Sequence, residues 1–293
     1  MTDSPAAKYA AAKARTALAK TTLGEFRDRL PFALDPFQVA GCQAIQDGHG
    51  VLIAAPTSAG KTIVGQFAVY LALANQARCF YTTPIKALSN QKFAEFQDAF
   101  GVDQVGLLTG DNSINGDAPI VVMTTEVLRN MLYEGAAGLR NLSHVVLDEV
   151  HYLADRARGA VWEEVIIHLP QQVRVVALSA TVSNAEEFGE WLRTVRGDVE
   201  VVVEEHRPTP LHQHVLAQRT LYDLFSDARL LKVNPDLGRL AYNDRSNPRG
   251  RFASRYTPTR PVVVEELANA DMLPSIYFIF SRGACDDAVQ QCL

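Results

Sequence analysis

The sequence predicts an α/β protein: a mostly parallel sheet with helices on both faces, followed by the start of a second, smaller unit. Two observations carry this. From Val51 onward, short apolar runs alternate with longer amphipathic segments, the alternation that gives parallel strands joined by crossover helices. The runs are also nearly continuous in Val, Ile and Leu, as strands covered on both faces are.

The strands are expected at Val51–Ala55, Arg78–Thr83, Val105–Leu108, Ile120–Thr124, His144–Asp148, Arg174–Ser179 and Val199–Val203. Helix-length segments lie between them at Lys61–Asn75, Lys86–Phe100 and Ala185–Val195. Ligands of such sheets bind at the carboxyl ends of the strands. Residues 1–33 read as a leader, with the Ala- and Lys-rich Met1–Lys20 as a solvated helix; an organelle transit peptide is the alternative. The main unit is expected over 34–217. Residues 218–260 carry nine Arg or Lys against four Asp, with Asn-Pro and Pro-Arg-Gly turn signals, and read as a basic interdomain linker or a nucleic-acid-touching arm. Over 261–293 a new unit begins: a helix at Val262–Leu267, a strand at Ser275–Phe280 and a helix from Gly283. One strand and two helices bury no core alone, so this reads as the truncated start of a second domain.

Composition removes several classes. With 293 residues, 47% hydrophobic and 21% charged, the chain is an ordinary globular one. No apolar run approaches the ~20 residues that span a bilayer, so no membrane is expected. The net charge of -5 excludes a histone-like electrostatic binder but leaves room for a local basic groove. Four cysteines without a CxxC pair suggest reduced thiols and a cytoplasmic location.

The chemistry begins at the end of the first strand. Ala55-Pro56-Thr57-Ser58-Ala59-Gly60-Lys61-Thr62 joins that strand to a helix, the context a phosphate-binding loop needs. Backbone amides of the loop and helix N-terminus point at an anion. Gly60 lets the backbone approach closely. Lys61 reaches the β- and γ-phosphates, and Thr62 offers its hydroxyl to Mg²⁺. Ala55 stands where the general pattern has its first glycine.

A second motif ends the strand His144–Asp148: Asp148-Glu149-Val150-His151. A carboxylate beside a phosphate loop suits Mg²⁺, which prefers oxygen ligands. Glu149 can orient and deprotonate the attacking water. His151 is placed to sense the γ-phosphate side. Ser179-Ala180-Thr181 ends the next strand, where the hydroxyls of Ser179 and Thr181 can bond to the acidic turn and couple it to neighbouring segments.

Taken in this order, the three motifs resemble those of a superfamily 2 helicase of the DExH type. Pro84-Ile85-Lys86-Ala87-Leu88-Ser89-Asn90-Gln91-Lys92 is similar to a motif of the superkiller (Ski-like) helicases, actinobacterial members included. Leu108-Thr109-Gly110-Asp111, Val122–Arg129, Asp155–Glu164, Arg207–Leu211 and Tyr277–Arg282 resemble further motifs of that family. The resemblance runs from about Leu34 to the C-terminus. It implies a RecA-like P-loop NTPase domain followed by the start of a second RecA-like domain, ATP and Mg²⁺ as cofactors, and single-stranded RNA, or DNA, as the strand engaged. It also implies a 3′-to-5′ direction and RNA-degradation machinery as a partner. Position by position, Gln38 takes the role of the adenine-recognising glutamine. Pro84, Lys86, Thr109, Gly110, Thr125 and Arg129 line the nucleic-acid path through phosphate and sugar contacts.

The expected function is thus that of the N-terminal part of an ATP-dependent DExH-box RNA helicase. A DNA helicase in repair and a non-catalytic ATP- or partner-binding module are the alternatives. A P-loop kinase leaves Ile85–Lys92 and Thr109–Arg129 without a purpose. The later family motifs, including the arginine fingers worth ~10³ to 10⁵ in related phosphoryl transfer, are not in the chain. By itself it is therefore expected to bind ATP, hydrolyse it weakly and not unwind.

Overall fold

A computed structural model describes residues 21–135, 137–180, 183–217, 219–227, 232–245 and 258–292. The leader Met1–Lys20 lies outside them. The chain divides into two compact units, Met1–Thr209 and Pro210–Leu293.

The first unit is an eight-stranded sheet. Its strands are β1 (Gly50–Ala54), β2 (Arg78–Thr83), β3 (Val105–Thr109), β4 (Asn112–Ile114), β5 (Ile120–Thr124), β6 (Leu142–Leu147), β7 (Arg174–Ser179) and β8 (Val199–Val203). They lie in the order β4-β3-β5-β2-β6-β7-β1-β8. All pair in parallel except β4, which runs antiparallel to β3. The seven strands expected from sequence are all present. The exposed β4 is additional: three residues without an apolar pattern, held by their pairing with β3.

Side chains alternate across the sheet, and each face has its own core. Val51, Ile53, Tyr81, Val122, Val146 and Leu178 pack on one side. They meet α1 (Thr22–Asp28), α2 (Pro36–Gln46), α3 (Thr62–Ala74) and α4 (Lys86–Phe100) through Leu23, Ile45, Phe67 and Phe96. Leu52, Phe80, Val121, Val145 and Ala177 face the other way. There they meet α5 (Thr125–Tyr133), α6 (Gly159–His168) and α7 (Ala185–Arg196) through Leu128, Trp162 and Leu192. This two-sided burial explains the unbroken apolar runs.

Arg196, at the end of α7, holds this second layer. Its buried guanidinium donates to the carbonyls of Ile166, Leu169, Pro170 and Val173, and so satisfies the carboxyl end of α6. Arg196→Met removes the donors and leaves the carbonyls buried. It is expected to cost about 2–4 kcal/mol, read as a lower midpoint in urea unfolding. A midpoint equal to that of the unsubstituted chain would show the carbonyls are satisfied without it.

His144, in β6, gives the fold an acid sensitivity. Burial, with the Arg174 charge adding, pushes its folded pKa from 6.5 down to about 4. The folded state therefore binds fewer protons than the unfolded chain between these values. Stability is expected to fall by about 3 kcal/mol as pH drops through that window. A His144→Gln chain should lose this part of the profile in thermal melts taken across pH 4 to 7.

In the second unit, β9 (His214–Ala217) and β10 (Thr220–Asp223) form an antiparallel pair. Helices α8 (Pro235–Arg245), α9 (Arg260–Asn269) and α10 (Arg282–Cys292) follow. The span read as a linker thus contains a strand and a helix. Its Arg219 is ion-paired with Glu265 and Glu266 on α9. Ser275–Phe280, expected as a strand, is not one. It has a strand's composition, but no strand pairs with it among the described residues, and Ile276, Phe278 and Phe280 stand in solvent. No helix among the described residues is long and apolar enough to cross a membrane.

Candidate functional site

Four neighbouring strands, β2, β6, β7 and β1, end at the same edge of the sheet. Each delivers one of the motifs to that edge: Thr83-Pro84, Asp148-Glu149, Ser179-Ala180 and the loop from Ala55.

The loop Ala55–Lys61 turns through two left-handed residues, Ser58 at φ 69° and Gly60 at φ 86°. A Cβ on Gly60 would also lie 2.6 Å from Gln38 Nε2, so glycine is required by backbone and by space. Ala55 and Pro56 are buried, and the Ala55 amide donates to the Ser179 carbonyl, tying the loop to β7. Ala59 is buried while Thr57 and Ser58 are exposed. Thr62 opens α3, whose N-terminus carries no side-chain cap. The Lys61 ammonium donates to the carbonyls of Ala55 and Pro56 at 2.8 and 3.0 Å. Burial lowers its pKa, and the charges of Glu149 and Asp148 oppose this, so loop and acidic pair share one electrostatic site.

Asp148 is held by three bonds. Its amide extends the ladder to the Thr82 carbonyl, Oδ2 accepts from the Tyr81 hydroxyl at 2.7 Å, and Oδ1 accepts from the Glu149 amide at 3.0 Å. Glu149 sits in the left-handed region at φ 53° and ψ 43°, a strained backbone for a residue with a Cβ. Its Oε2 is buried without a hydrogen-bond partner. Burial, then the Asp148 charge, raises its pKa. His151 Nδ1 lies 3.3 Å from that oxygen and accepts from the Ala180 amide at 3.4 Å. The acidic turn thus reaches the segment after β7 through a histidine and a backbone amide. Ser179 is buried beside it; Thr181 lies outside the described residues.

Gln38 is buried against the loop. Its Nε2 donates to the Gly60 carbonyl at 3.1 Å and its Oε1 accepts from the Asp35 amide at 2.9 Å. Beside it is a cavity of about 400 Å³ lined by Pro36, Phe37, Ala59, Glu204, His206 and Pro208. Phe37 belongs to the core as well, while Phe32 stands half in solvent.

The residues expected along a strand path are spread over the carboxyl ends of β2, β3 and β5. Most already have partners in the fold. Lys86 pairs with Asp111, which also accepts from the Thr109 hydroxyl. Arg129 pairs with Glu164 at 3.8 Å. Gly110 follows β3, and a Cβ added there would meet no atom within 4 Å, so its surface is open. Thr125 is fully buried, and its hydroxyl donates to the Thr83 carbonyl. Pro84 offers its carbonyl to Arg158.

Tyr81 and Arg207 escaped the sequence reading as contributors to the site. Tyr81 looks like any core strand residue, and only the pairing of β2 with β6 reveals that it meets Asp148. Arg207 lies in a motif noted above, and its charge adds to the lowering of the Lys61 pKa.

The sheet order, the phosphate loop and the acidic pair define a P-loop nucleotide-binding domain of the helicase type. The sequence profile of the DEAD/DEAH box helicases matches residues 35–188, and the chain belongs to that family. It is 57% identical over 291 residues to a probable helicase HelY of Mycobacterium leprae, a match that covers 92% of this chain and 32% of that protein. It is 46% identical over 315 residues to the antiviral helicase SKI2 of Saccharomyces cerevisiae, covering 88% of this chain and 24% of that one. With the human exosome RNA helicase MTR4 it shares 39% over 280 residues, covering 91% and 26%. The chain therefore spans a third or less of these relatives. Among solved structures it is similar to the DUF1998 helicase MrfA bound to DNA and AMPPNP, with a TM-score of 0.53 and 25% identity over 65% of this chain and 29% of that one.

Proposed function

We propose that this chain is the ATP-binding, strand-engaging part of an ATP-dependent RNA helicase. The observation that carries the reading is the shared electrostatic site of Lys61, Asp148 and Glu149, in which a buried carboxylate oxygen of Glu149 has no hydrogen-bond donor. Phosphate binding falls to the loop Ala55–Thr62, with the uncapped N-terminus of α3 and the Lys61 ammonium as its positive elements. The adenine is assigned to the cavity beside Gln38.

The donor set fits Mg²⁺: the Asp148 carboxylate and the Thr62 hydroxyl are hard oxygen ligands, and Mg²⁺ usually takes one or two carboxylates plus phosphate oxygens. When bound, the ion neutralises charge on the β- and γ-phosphates. Tyr81 aims Asp148 by binding one of its oxygens. Glu149 takes the proton of the water that attacks the γ-phosphorus, while the bond to the ADP oxygen breaks. Burial and the Asp148 charge raise its pKa, which makes it a stronger base than an ordinary carboxylate.

The strand lies along the ends of β2, β3 and β5, over Pro84, Lys86, Gly110 and Arg129. RNA is favoured over DNA because the relatives named as RNA helicases, such as MTR4, match over most of this chain. The exosome named with MTR4 supports RNA-degradation machinery as a partner. The test is ATP turnover with and without single-stranded RNA, with Lys61→Ala as the blank, and competition by matched RNA and DNA strands. Turnover that neither strand stimulates, together with no strand binding, would sink the reading.

A further inference from the structure

The segment Asp155–Glu164 stands out in the sequence but has no part in the chemistry above. It leaves the acidic turn directly. After Glu149 the chain makes one tight helical turn, Val150–Ala154, and then the Asp155 carboxylate accepts from the amides of Ala157 and Arg158 at 2.8 and 2.9 Å. A Cβ on Gly159 would lie 2.1 Å from the Leu153 carbonyl oxygen, so the start of α6 is pressed onto that turn. Turn and helix are therefore packed together with no space between them.

Arg158 projects from this joint. Its guanidinium donates to the Pro84 carbonyl and to Glu126 Oε1, the latter at 2.5 Å. It lies over the rings of Tyr152 and Trp162 at 5.9 and 5.7 Å from their centroids. Pro84 precedes Lys86 at the end of β2, and Glu126 is in the first turn of α5, ahead of Arg129. One side chain thus touches the acidic turn's own helix and both strand-facing segments.

We propose that Arg158 is a positioning residue that holds the Pro84–Lys86 segment and the start of α5 in register with the acidic turn, so that both can grip a nucleic-acid backbone together. This rests on the strand-binding reading above. One terminal nitrogen, Nη2, donates to two acceptors on different elements, while the guanidinium face lies over two aromatic rings. A lysine ammonium keeps the charge but loses the planar face that, stacked over Tyr152 and Trp162, fixes where the donating nitrogen sits.

The test compares the unsubstituted chain with Arg158→Lys, Glu126→Gln and the double variant. Affinity is read by anisotropy for a fluorescein-labelled single-stranded oligouridylate, and separately for a fluorescent ATP analogue, with thermal melts to confirm folding. Arg158→Lys is expected to weaken strand binding about tenfold while ATP-analogue affinity stays within about twofold. The double variant should bind no more weakly than Arg158→Lys, because the pair acts as a unit. Strand affinity unchanged in Arg158→Lys, strand and nucleotide affinities lost in equal measure, or additive effects in the double variant would each overturn the proposal. If the unsubstituted chain binds ATP analogue but no strand, the functional reading falls and this inference falls with it.

Discussion

ATP turnover by a Glu149→Gln chain is expected to drop by ~10²- to 10⁴-fold, the usual worth of a positioned general base, while nucleotide affinity stays near that of the unsubstituted chain. Glutamine keeps the shape and volume of the side chain, so the left-handed turn at φ 53° is no worse served. What it loses is the buried Oε2, whose lone pairs have no donor in the fold and which burial has made more basic than an ordinary carboxylate. Asp148 keeps its bonds to Tyr81 and to the amide of residue 149. Binding and turnover should therefore separate. The measurement is single-turnover hydrolysis at saturating ATP beside a fluorescent-analogue titration. Turnover within a few-fold of the original would remove Glu149 from the proposed chemistry. A parallel loss of affinity would mean its role is to hold the loop.

Lys61→Ala should behave in the opposite way. Affinity for ATP is expected to fall by about 10²-fold, because charge-assisted bonds to phosphate are worth about 1.5–3 kcal/mol each. The ammonium sits among the carbonyls of Ala55 and Pro56 and within the fields of Asp148 and Glu149. Removing it leaves two carboxylates facing the place assigned to the phosphates with no cation between. Lys61→Arg adds a control: it keeps the charge but is too broad for the pocket formed by two adjacent carbonyls, so it should recover only part of the affinity. Equal affinity in Lys61→Ala and the unsubstituted chain would move the phosphate site away from this loop.

These two residues were legible in the sequence because the physics that makes the site also makes contiguous motifs. A phosphate loop must follow a strand and open a helix, and an acidic pair must end a strand, so both leave a mark within a few residues. The strands were legible for a similar reason: burial on both faces demands unbroken apolar runs. Interactions between distant segments left no such mark. Tyr81 and Asp148 meet only because β2 lies beside β6. Arg196 and Arg158 serve carbonyls on other elements, and in sequence they look like solvated charges. The resemblance to known helicases singled out Lys86, Thr125 and Arg129, but it could not show that Asp111, the Thr83 carbonyl and Glu164 already engage them. Ser275–Phe280 shows the converse: a strand's composition does not make a strand without a neighbour to share its hydrogen bonds.

The sheet order also governs when the site can exist during synthesis. β1, the strand that launches the phosphate loop, is made well before its neighbours: Val51 pairs with Val176 on one side and Glu200 on the other. At ~5–20 residues per second, the ribosome leaves this wholly apolar strand without a neighbour for on the order of ten seconds. Early helices such as α3 can shield one face of it, but its backbone amides and carbonyls stay unpaired until β7 and β8 arrive. The nucleotide loop therefore closes only long after it is made, and a nascent chain halted before Val203 would be expected to present a sticky edge to chaperones and no place for ATP.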